Sequence, residues 1–377
     1  MPDTIDPCGD GTGAGPDDPE PSPPVHYAEQ ALLGALLLEP HRLGTLGSLG
    51  AAQFGDPAHA ALFAAMGALA PPEAAVHASE PVWLSSVLDH ARRDARGLTA
   101  AYLHALVQAC PDPRHTAAYT QMIRADHARR TLRTHAGSLA QTATVPVQPD
   151  PASAVLAQAD TLARYLDDLT GQFAPHPGSL PRTPAPPDPP RNTGSDVLDE
   201  ERLLLATATA HPGEMARMRW LLPVDFALPV HAALFHCLTA LAHRGEPIDP
   251  VTVLWEAQHR GLLRDTAPAH ILNLLATPAG SVEHWGGKVL QRALLHQART
   301  TANLIRSYAD DPANSVHQLV TGSRRALADL TAVRARWQHQ HHAPQPPNQR
   351  QTPRTTAAAR AGPLRTTAPS SPARTSR

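Results

Sequence analysis

The feature that most constrains the fold of this chain is an internal repeat. The motif F-x-x-P-x-H-A-A-L-F occurs twice at an offset of 172 residues, from Phe54 to Phe63 and from Phe226 to Phe235. Further matches at this offset keep the same order along the chain: Glu29 with Glu201, Leu32 with Leu204, Leu33 with Leu205, Pro40 with Pro212 and Leu49 with Leu221. At an offset of 161, Asp150-Pro151-Ala152 then matches Asp311-Pro312-Ala313. Ordered matches over two long blocks indicate duplication of one domain.

The repeat defines copy 1, residues 26–173, and copy 2, residues 196–338. Residues 174–195 between them form a proline-rich linker, which should be semi-extended. Residues 1–25 are acidic and rich in Gly and Pro, whereas residues 339–377 are rich in Arg and Pro. Both ends have too few large apolar residues to offset the entropy of ordering, so we expect two disordered tails.

Composition and periodicity both favour an all-α fold. Apolar residues make up 42% of the chain and aromatic residues only 4%, so the cores must consist mainly of Ala, Leu and Val. We predict long helices over about 114–143 and 281–309, and we expect Asp150 and Asp311 to cap the helices that follow them. Pro57 and Pro229 suit the first turn of a helix. Each copy is therefore predicted to be a small helical globule followed by a helical hairpin.

The last helix of each copy has apolar residues at heptad-like spacing. Such a seam packs either against its own domain or against a partner helix, and the spacing leaves both possibilities open. The candidate interface residues on the two seams are Val155, Leu162, Leu166, Leu169, Val316, Val320, Leu327 and Leu330.

Several motifs in this order resemble a known domain. Glu29-Gln30-Ala31-Leu32-Leu33-Gly34-Ala35-Leu36 opens copy 1, a Phe and a His-x-x-Leu-Phe helix follow in both copies, and copy 1 continues with Tyr102-Leu103-x-x-Leu106. Copy 2 contains Gly245-Glu246-Pro247-Ile248-Asp249-Pro250-Val251-Thr252. Together these resemble the N-terminal domain of bacterial replicative DNA helicases of the DnaB type. Copy 1 lacks the P-I-D-x-V-T motif, and copy 2 lacks the Gln and Gly of the opening motif, so the copies have diverged.

The resemblance implies protein–protein interaction. In that family the domain forms a collar, its hairpins pair between subunits, and the collar docks the primase. A chain with two copies could pair its hairpins internally and so mimic one collar dimer. The expected partner is the replicative helicase, the primase or a helicase loader, and a homo-oligomer is also open.

The sequence contains no motif for ATP hydrolysis. Lys288 is the sole lysine, and it lies in Trp285-Gly286-Gly287-Lys288-Val289, which does not fit the phosphate loop G-x-x-x-x-G-K-(Ser/Thr). We therefore expect a protein that is not an enzyme and needs no cofactor. An alternative is a regulatory subunit of a split helicase, in which a separate chain carries the ATPase.

Other chemistry-bearing residues favour structural roles. No second metal ligand is spaced near His59 or His231, so structural hydrogen bonds are expected there, and the tract from His339 to His342 is interpreted as compositional. The acids Glu29, Asp167, Asp168, Glu200 and Glu201 are expected to be solvated charges on helix ends. The arginines Arg124, Arg129, Arg130 and Arg133 are interpreted as a solvated basic face, with a partner or nucleic-acid face as the alternative.

Charge is sorted along the chain although the net charge is only -2. After Asp329 there is no acid, and possible nucleic-acid contacts in this region are Arg350, Arg354, Arg360 and Arg365. Such a tail would bind phosphates weakly and in a salt-dependent way, which makes a nucleic-acid-binding architectural protein a second alternative.

The widely spaced cysteines Cys8, Cys110 and Cys237 form no disulfide framework. The sequence contains no run of 18 apolar residues and no secretory signal, so the expected location is the cytoplasm.

Overall fold

The computed structural model describes residues 22–79, 82–144, 150–173, 180–264 and 266–342. In copy 1 the helices are α1 (Pro24–Leu38), α2 (Pro57–Ala68), α3 (Ala74–Ser79), α4 (Val82–Ala91), α5 (Ala100–Gln108), α6 (Thr116–Thr144) and α7 (Pro151–Gln172). In copy 2 they are α8 (Ser195–Ala210), α9 (Pro229–Arg244), α10 (Pro250–His259), α11 (Pro268–Leu275), α12 (Val282–Asp310) and α13 (Val316–His342). No strand occurs in these ranges, which confirms the all-α prediction. The expected disordered tails lie outside the described residues, apart from residues 22–25 and 339–342. Of these, residues 24–25 begin α1 and residues 339–342 end α13, so they are helical and not disordered.

Prolines and short polar side chains set where many of these helices begin. Pro57 and Pro229 occupy the first turns of α2 and α9, as predicted. The Asp56 carboxylate accepts a hydrogen bond of 2.7 Å from the backbone N–H of Ala58. Asp150 caps α7 by accepting from the N–H of Ser153, as predicted. These caps satisfy N–H groups that have no partner inside the helix.

The expectation that Asp311 caps the last helix is wrong. Helix α13 begins at Val316, and Asp311 instead ends α12. The Asp311 carboxylate accepts hydrogen bonds from the N–H of Ala313 and from the Thr183 hydroxyl. Because Arg129 of copy 1 binds the carbonyl oxygens of Asp311 and Asn314, the segment between α12 and α13 forms a turn and does not extend the helix.

The globule of copy 1 has its own core. Leu32, Leu33, Leu36 and Leu37 of α1 are at most 1% exposed, and they pack in one cluster with α2, α4 and α5. Helix α1 also passes very close to the end of α5. A Cβ atom at Gly34 would lie 2.1 Å from the carbonyl oxygen of Leu106, so only glycine fits there without a shift. This contact explains the glycine of the opening motif.

The two hairpins pack together as a four-helix bundle. Buried residues of α6, α7, α12 and α13 belong to one continuous cluster, which extends into the globule of copy 2. Arg133 near the middle of α6 binds Asp310 at the end of α12, whereas Ala143 and Lys288 line the same cavity at the other end. Helices α6 and α12 are therefore antiparallel. The copies share a core instead of being joined by the linker alone.

The described part of the linker lies against the hairpin of copy 2. Residues 180–194 form no helix. The backbone N–H of Arg182 donates to the Asn314 side chain at 3.1 Å, and the Asn314 amide donates to the Thr183 hydroxyl at 2.7 Å. A Cβ atom at Gly322 would lie 2.4 Å from Pro181, so glycine in α13 permits this close approach. The linker is thereby attached to the turn between α12 and α13.

Candidate functional site

The predicted seam residues all lie inside the four-helix bundle. Each is at most 9% exposed, and all belong to the cluster that both copies share: Val155, Leu162, Leu166, Leu169, Val316, Val320, Leu327 and Leu330. Helices α7 and α13, which carry the two seams, contact one another directly. The seams are therefore covered by the chain itself and are not an open surface.

Small side chains fill the contact between α6 and α12, the helices that cross at the centre of the bundle. The residues buried in this part of α6 and α12 include Ala128, Ala136, Ala143, Ala298, Ala302 and Ala309. Such small residues let helix axes approach closely, because the distance between packed helices depends on the side chains at their contact. Larger residues such as Leu132 and Ile305 fill the spaces between them.

Arg129 and Arg133 of α6 join copy 1 to the hairpin turn of copy 2. The Arg129 guanidinium donates to the carbonyl oxygens of Ala309, Asp311 and Asn314 at 3.1, 2.7 and 2.7 Å. Arg133 donates to the Ala309 carbonyl oxygen at 2.9 Å and to the Asp310 carboxylate at 2.6 Å. Carbonyls in the last turn of a helix lack intrahelical partners, so these arginines cap the end of α12. Burial lowers the pKa of Arg129, and Arg133 lowers it further.

The expectation that the arginines of α6 form a solvated basic face is wrong, because each of them binds groups of the chain itself. Arg124 donates to the Leu46 carbonyl oxygen, and Arg130 donates to the Gln53 carbonyl oxygen and to Asp126. With Arg129 and Arg133 bound to copy 2, all four side chains have partners within the chain. The sequence correctly indicates a helix rich in arginine. It does not indicate the backbone carbonyl oxygens that these arginines bind.

Ion pairs also join α7 to α13 along the exposed edge of the bundle. Arg334 pairs with Asp160, and Arg324 pairs with Asp167. The order of these residues shows that α7 and α13 are antiparallel. Because the carboxylates are at least half exposed, each ion pair contributes more to the relative orientation of α7 and α13 than to the stability of the bundle.

A buried Glu–His pair recurs at the same place in each copy. The distance from His59 Nδ1 to Glu29 Oε2 is 2.7 Å, and the distance from His231 Nδ1 to Glu201 Oε2 is also 2.7 Å. The other carboxylate oxygen accepts from the backbone N–H of Gly55 in copy 1 and of Ala227 in copy 2. The structural role expected for both histidines is therefore confirmed. The expectation that Glu29 and Glu201 are solvated is wrong, because they are only 1% and 2% exposed.

Metal binding at this pair has little support. In the described residues, one group of side chains, His26, Glu29 and His59, has ligand atoms close enough to hold an ion. However, the second nitrogen of His59 is 2.7 Å from the Tyr102 hydroxyl, and His26 contacts Gln30. Copy 2 keeps the Glu–His pair with Leu198 at the position that matches His26. The Glu–His pair therefore occurs in copy 2 without a third possible ligand. This is expected if the pair is a structural link between the first helix of each copy and its His-Ala-Ala-Leu-Phe helix.

One further link was not predicted. Asp225, which precedes α9, is 4% exposed and binds Arg336 of α13 at 2.9 Å between Oδ1 and Nη2. It also accepts from the backbone N–H of Leu222. No role was predicted for Asp225 or Arg336 from the sequence. The possible nucleic-acid contacts Arg350, Arg354, Arg360 and Arg365 lie outside the described residues.

The fold and the paired hairpins define an all-helical domain that is present twice in one chain. The sequence profile of the DnaB-like helicase N terminal domain matches residues 22–125 and 195–289, together more than half of the chain. The chain therefore belongs to the DnaB-like helicase N-terminal domain family.

Curated relatives are replicative DNA helicases. The chain is 33% identical to DnaB of Geobacillus stearothermophilus over 138 residues, which is 36% of this chain and 30% of the relative. It is 30% identical to DnaB of Mycobacterium leprae (strain TN) over 115 residues, 29% of this chain and 19% of the relative. Identity to DnaC of Bacillus subtilis (strain 168) is 23% over 146 residues, 38% of this chain and 31% of the relative. The chain thus spans less than a third of each of these helicases. Among the described residues, no helix is long and apolar enough to span a membrane.

Proposed function

We propose that this chain is a non-catalytic assembly protein of DNA replication that presents two helicase-collar domains already paired within one molecule. The observation that carries this proposal is the core shared by both hairpins. Family relatives are replicative helicases, so the partner proposed here is a replicative helicase, its primase or a helicase loader.

Internal pairing limits which surfaces a partner could use. The seam residues are buried between the copies, so a partner would have to contact the outer faces of the bundle or the globules. On α10 of copy 2, Val251 and Trp255 are 68% and 60% exposed and lie one turn apart. Exposed tryptophan is enriched among the residues that dominate binding energy at protein interfaces. We propose that α10 contributes to the partner surface.

Affinity purification of the tagged full-length chain from nuclease-treated native extract tests this proposal. We expect mass spectrometry to identify the replicative helicase, the primase or a loader. The variant Trp255→Ala should weaken capture and keep its helical circular dichroism, because the side chain is mostly exposed. The matched control is Val82→Ala, which removes an exposed apolar side chain of copy 1. Capture of none of these proteins, with the chain folded, would contradict the proposal.

The C-terminal arginines favour a second candidate function, binding of nucleic acid. Residues 343–377 carry six arginines and no acid, which predicts an affinity for DNA that falls steeply with salt. We expect fluorescence anisotropy with a short duplex to show salt-dependent binding that is lost when these residues are removed.

A third candidate, a regulatory role beside a separate ATPase, predicts stimulation of ATP hydrolysis in a reconstituted mixture and no hydrolysis by this chain alone.

A further inference from the structure

We propose that a cavity at the junction of the two copies binds a small polyphosphate anion, such as pyrophosphate or the phosphates of a nucleotide. The cavity has a volume of about 290 Å³. Its walls come from α8 and α12 of copy 2, from Arg191 and Asn192 of the linker, and from the end of the copy 1 hairpin at Ala143, Thr144 and Pro151. This inference is independent of the proposed role in replication.

The walls carry a cluster of cationic side chains. Arg191, Lys288, Arg292 and Arg299 all line the cavity, together with His296. Arg191, Lys288 and Arg299 form no ion pair with any carboxylate that the structure describes. Arginine and lysine are the side chains that proteins use to bind phosphate groups. Lys288 is exposed and Arg191 and Arg299 are half-buried, so an anion that enters the cavity from solvent can reach all three.

The carboxylates that share the cavity have partners already. Glu201 accepts from His231 and from the backbone of Ala227, and Asp225 is paired with Arg336. Glu200 is paired with Arg292. These acids therefore do not neutralise the three unpaired cations.

Three buried polar atoms in this region lack hydrogen-bond partners, among them one carboxylate oxygen of Glu200. The Nδ1 atom of His296 and one guanidinium nitrogen of Arg292 are buried, and no hydrogen-bond partner for either exists among the described residues. Buried polar groups are normally satisfied. Because Arg292 and Glu200 are ion-paired with one another, the unpartnered atom that indicates a ligand in the cavity is Nδ1 of His296. Burial lowers the pKa of His296, and Arg191 and Arg299 lower it further, against an opposing effect of Asp188.

The equivalent junction in copy 1 is closed. There, α6 meets the hairpin turn of copy 2, and Arg129 and Arg133 fill the contact by binding its carbonyls and Asp310. At the other junction, α12 presents Lys288, Arg292 and Arg299 to a cavity instead. The cationic side chains at the copy 1 junction are thus bound by groups of the protein. Most of the cationic side chains at the copy 2 junction instead line an open cavity.

Size and lining limit the class of ligand. Among the described residues of the wall there is no Phe, Tyr or Trp, and His296 is the one aromatic ring that could stack on a base. The volume is near the lower end of that of small-molecule sites, enough for a pyrophosphate group. Recognition should therefore depend on the phosphates and only weakly on the base of a nucleotide.

Isothermal titration of the full chain with sodium pyrophosphate at constant ionic strength tests the proposal. We expect saturable binding with one site per chain, and an affinity roughly ten-fold or more weaker in Lys288→Ala and in Arg299→Ala, because each removes a charge-assisted contact. The matched control is Arg306→Ala, an exposed arginine on the same helix that should bind like the natural chain. Removal of an unpaired cation should not lower the melting temperature, which separates lost binding from lost folding.

Competition distinguishes the sources of the phosphate. A nucleoside diphosphate should displace pyrophosphate, and a short single-stranded oligonucleotide should not. An amide and imidazole NMR titration should place the change at His296. The proposal is overturned if the Arg306→Ala control weakens binding as much as Arg299→Ala, if binding does not saturate, or if only the oligonucleotide binds.

Discussion

At the residue scale, two glycines on long helices should respond in opposite ways to the same change. Gly34 of α1 faces the carbonyl oxygen of Leu106 so closely that a Cβ atom would lie 2.1 Å from it. Gly137 lies inside α6, and a Cβ atom there would meet nothing within 4 Å. Glycine inside a helix is less favourable than alanine by about 1 kcal/mol when nothing else intervenes.

We therefore expect Gly34→Ala to destabilise the chain by about 1–3 kcal/mol, as overpacking does in cores. Gly137→Ala should instead stabilise it by up to about 1 kcal/mol. Urea unfolding followed by circular dichroism measures both. Equal effects of the two variants would contradict the close approach of α1 and α5. Copy 2 carries Ala206 at the position that matches Gly34, so its first helix must pack without that contact.

The buried Glu–His pair gives a second prediction at this scale. Replacing Glu201 by Ala leaves His231 Nδ1 and the N–H of Ala227 without their acceptor. Each unsatisfied buried group costs about 1–3 kcal/mol, so we expect a loss of about 2–4 kcal/mol in the free energy of unfolding. The control Asp199→Ala removes an exposed carboxylate from the same helix and should change little. A similar loss in both variants would show that the pair is not structural.

At the scale of single elements, the sequence predicted the helices well and their contacts poorly. The long helices α6 and α12 were expected from periodicity, and Asp150 was expected as a cap, because both depend on residues close in the chain. Asp311 looks the same locally, yet it ends a helix because Arg129 and Thr183 bind its turn. Glu29 was wrongly expected to be solvated because its partner, His59, lies 30 residues away in the sequence. Contacts between distant segments leave no local pattern.

Arg129 shows how one such contact joins two elements. Its guanidinium binds three carbonyl oxygens at the turn between α12 and α13. Arg129→Ala should therefore destabilise the paired hairpins by about 2–3 kcal/mol, a magnitude typical of hydrogen bonds to a charged group. Arg129→Lys should be nearly as harmful, because an ammonium group lacks the planar fork that spans several acceptors.

Urea unfolding compares these variants with Arg93→Ala, which removes an exposed arginine of copy 1. We expect the Arg93 variant to unfold like the natural chain. If Arg129→Lys kept full stability, the charge alone would account for the contact and the geometry of the fork would not matter.

At the scale of the whole molecule, the shared core should make the copies unfold together. Most of the core of copy 2 and the inner faces of α6 and α7 belong to one cluster, whereas the globule of copy 1 has a separate one. The repeat in the sequence predicted two similar units, but it could not show that their hairpins are partners for one another. That pairing is what distinguishes a single assembled body from two domains on a linker.

Tryptophan fluorescence can test this coupling directly. Four of the five tryptophans, Trp220, Trp255, Trp285 and Trp337, lie in copy 2, so in a Trp83→Phe background the signal reports copy 2 alone. Leu132 of copy 1 is fully buried in the shared cluster, and Leu132→Ala should cost about 2–5 kcal/mol through the cavity it leaves. If the hairpins are paired as described, this change in copy 1 shifts the fluorescence transition of copy 2 by as much as the circular dichroism transition. A fluorescence midpoint that stays fixed while circular dichroism shows an earlier loss of helix would mean that the copies unfold independently, and the proposal of a pre-paired collar would fail with it.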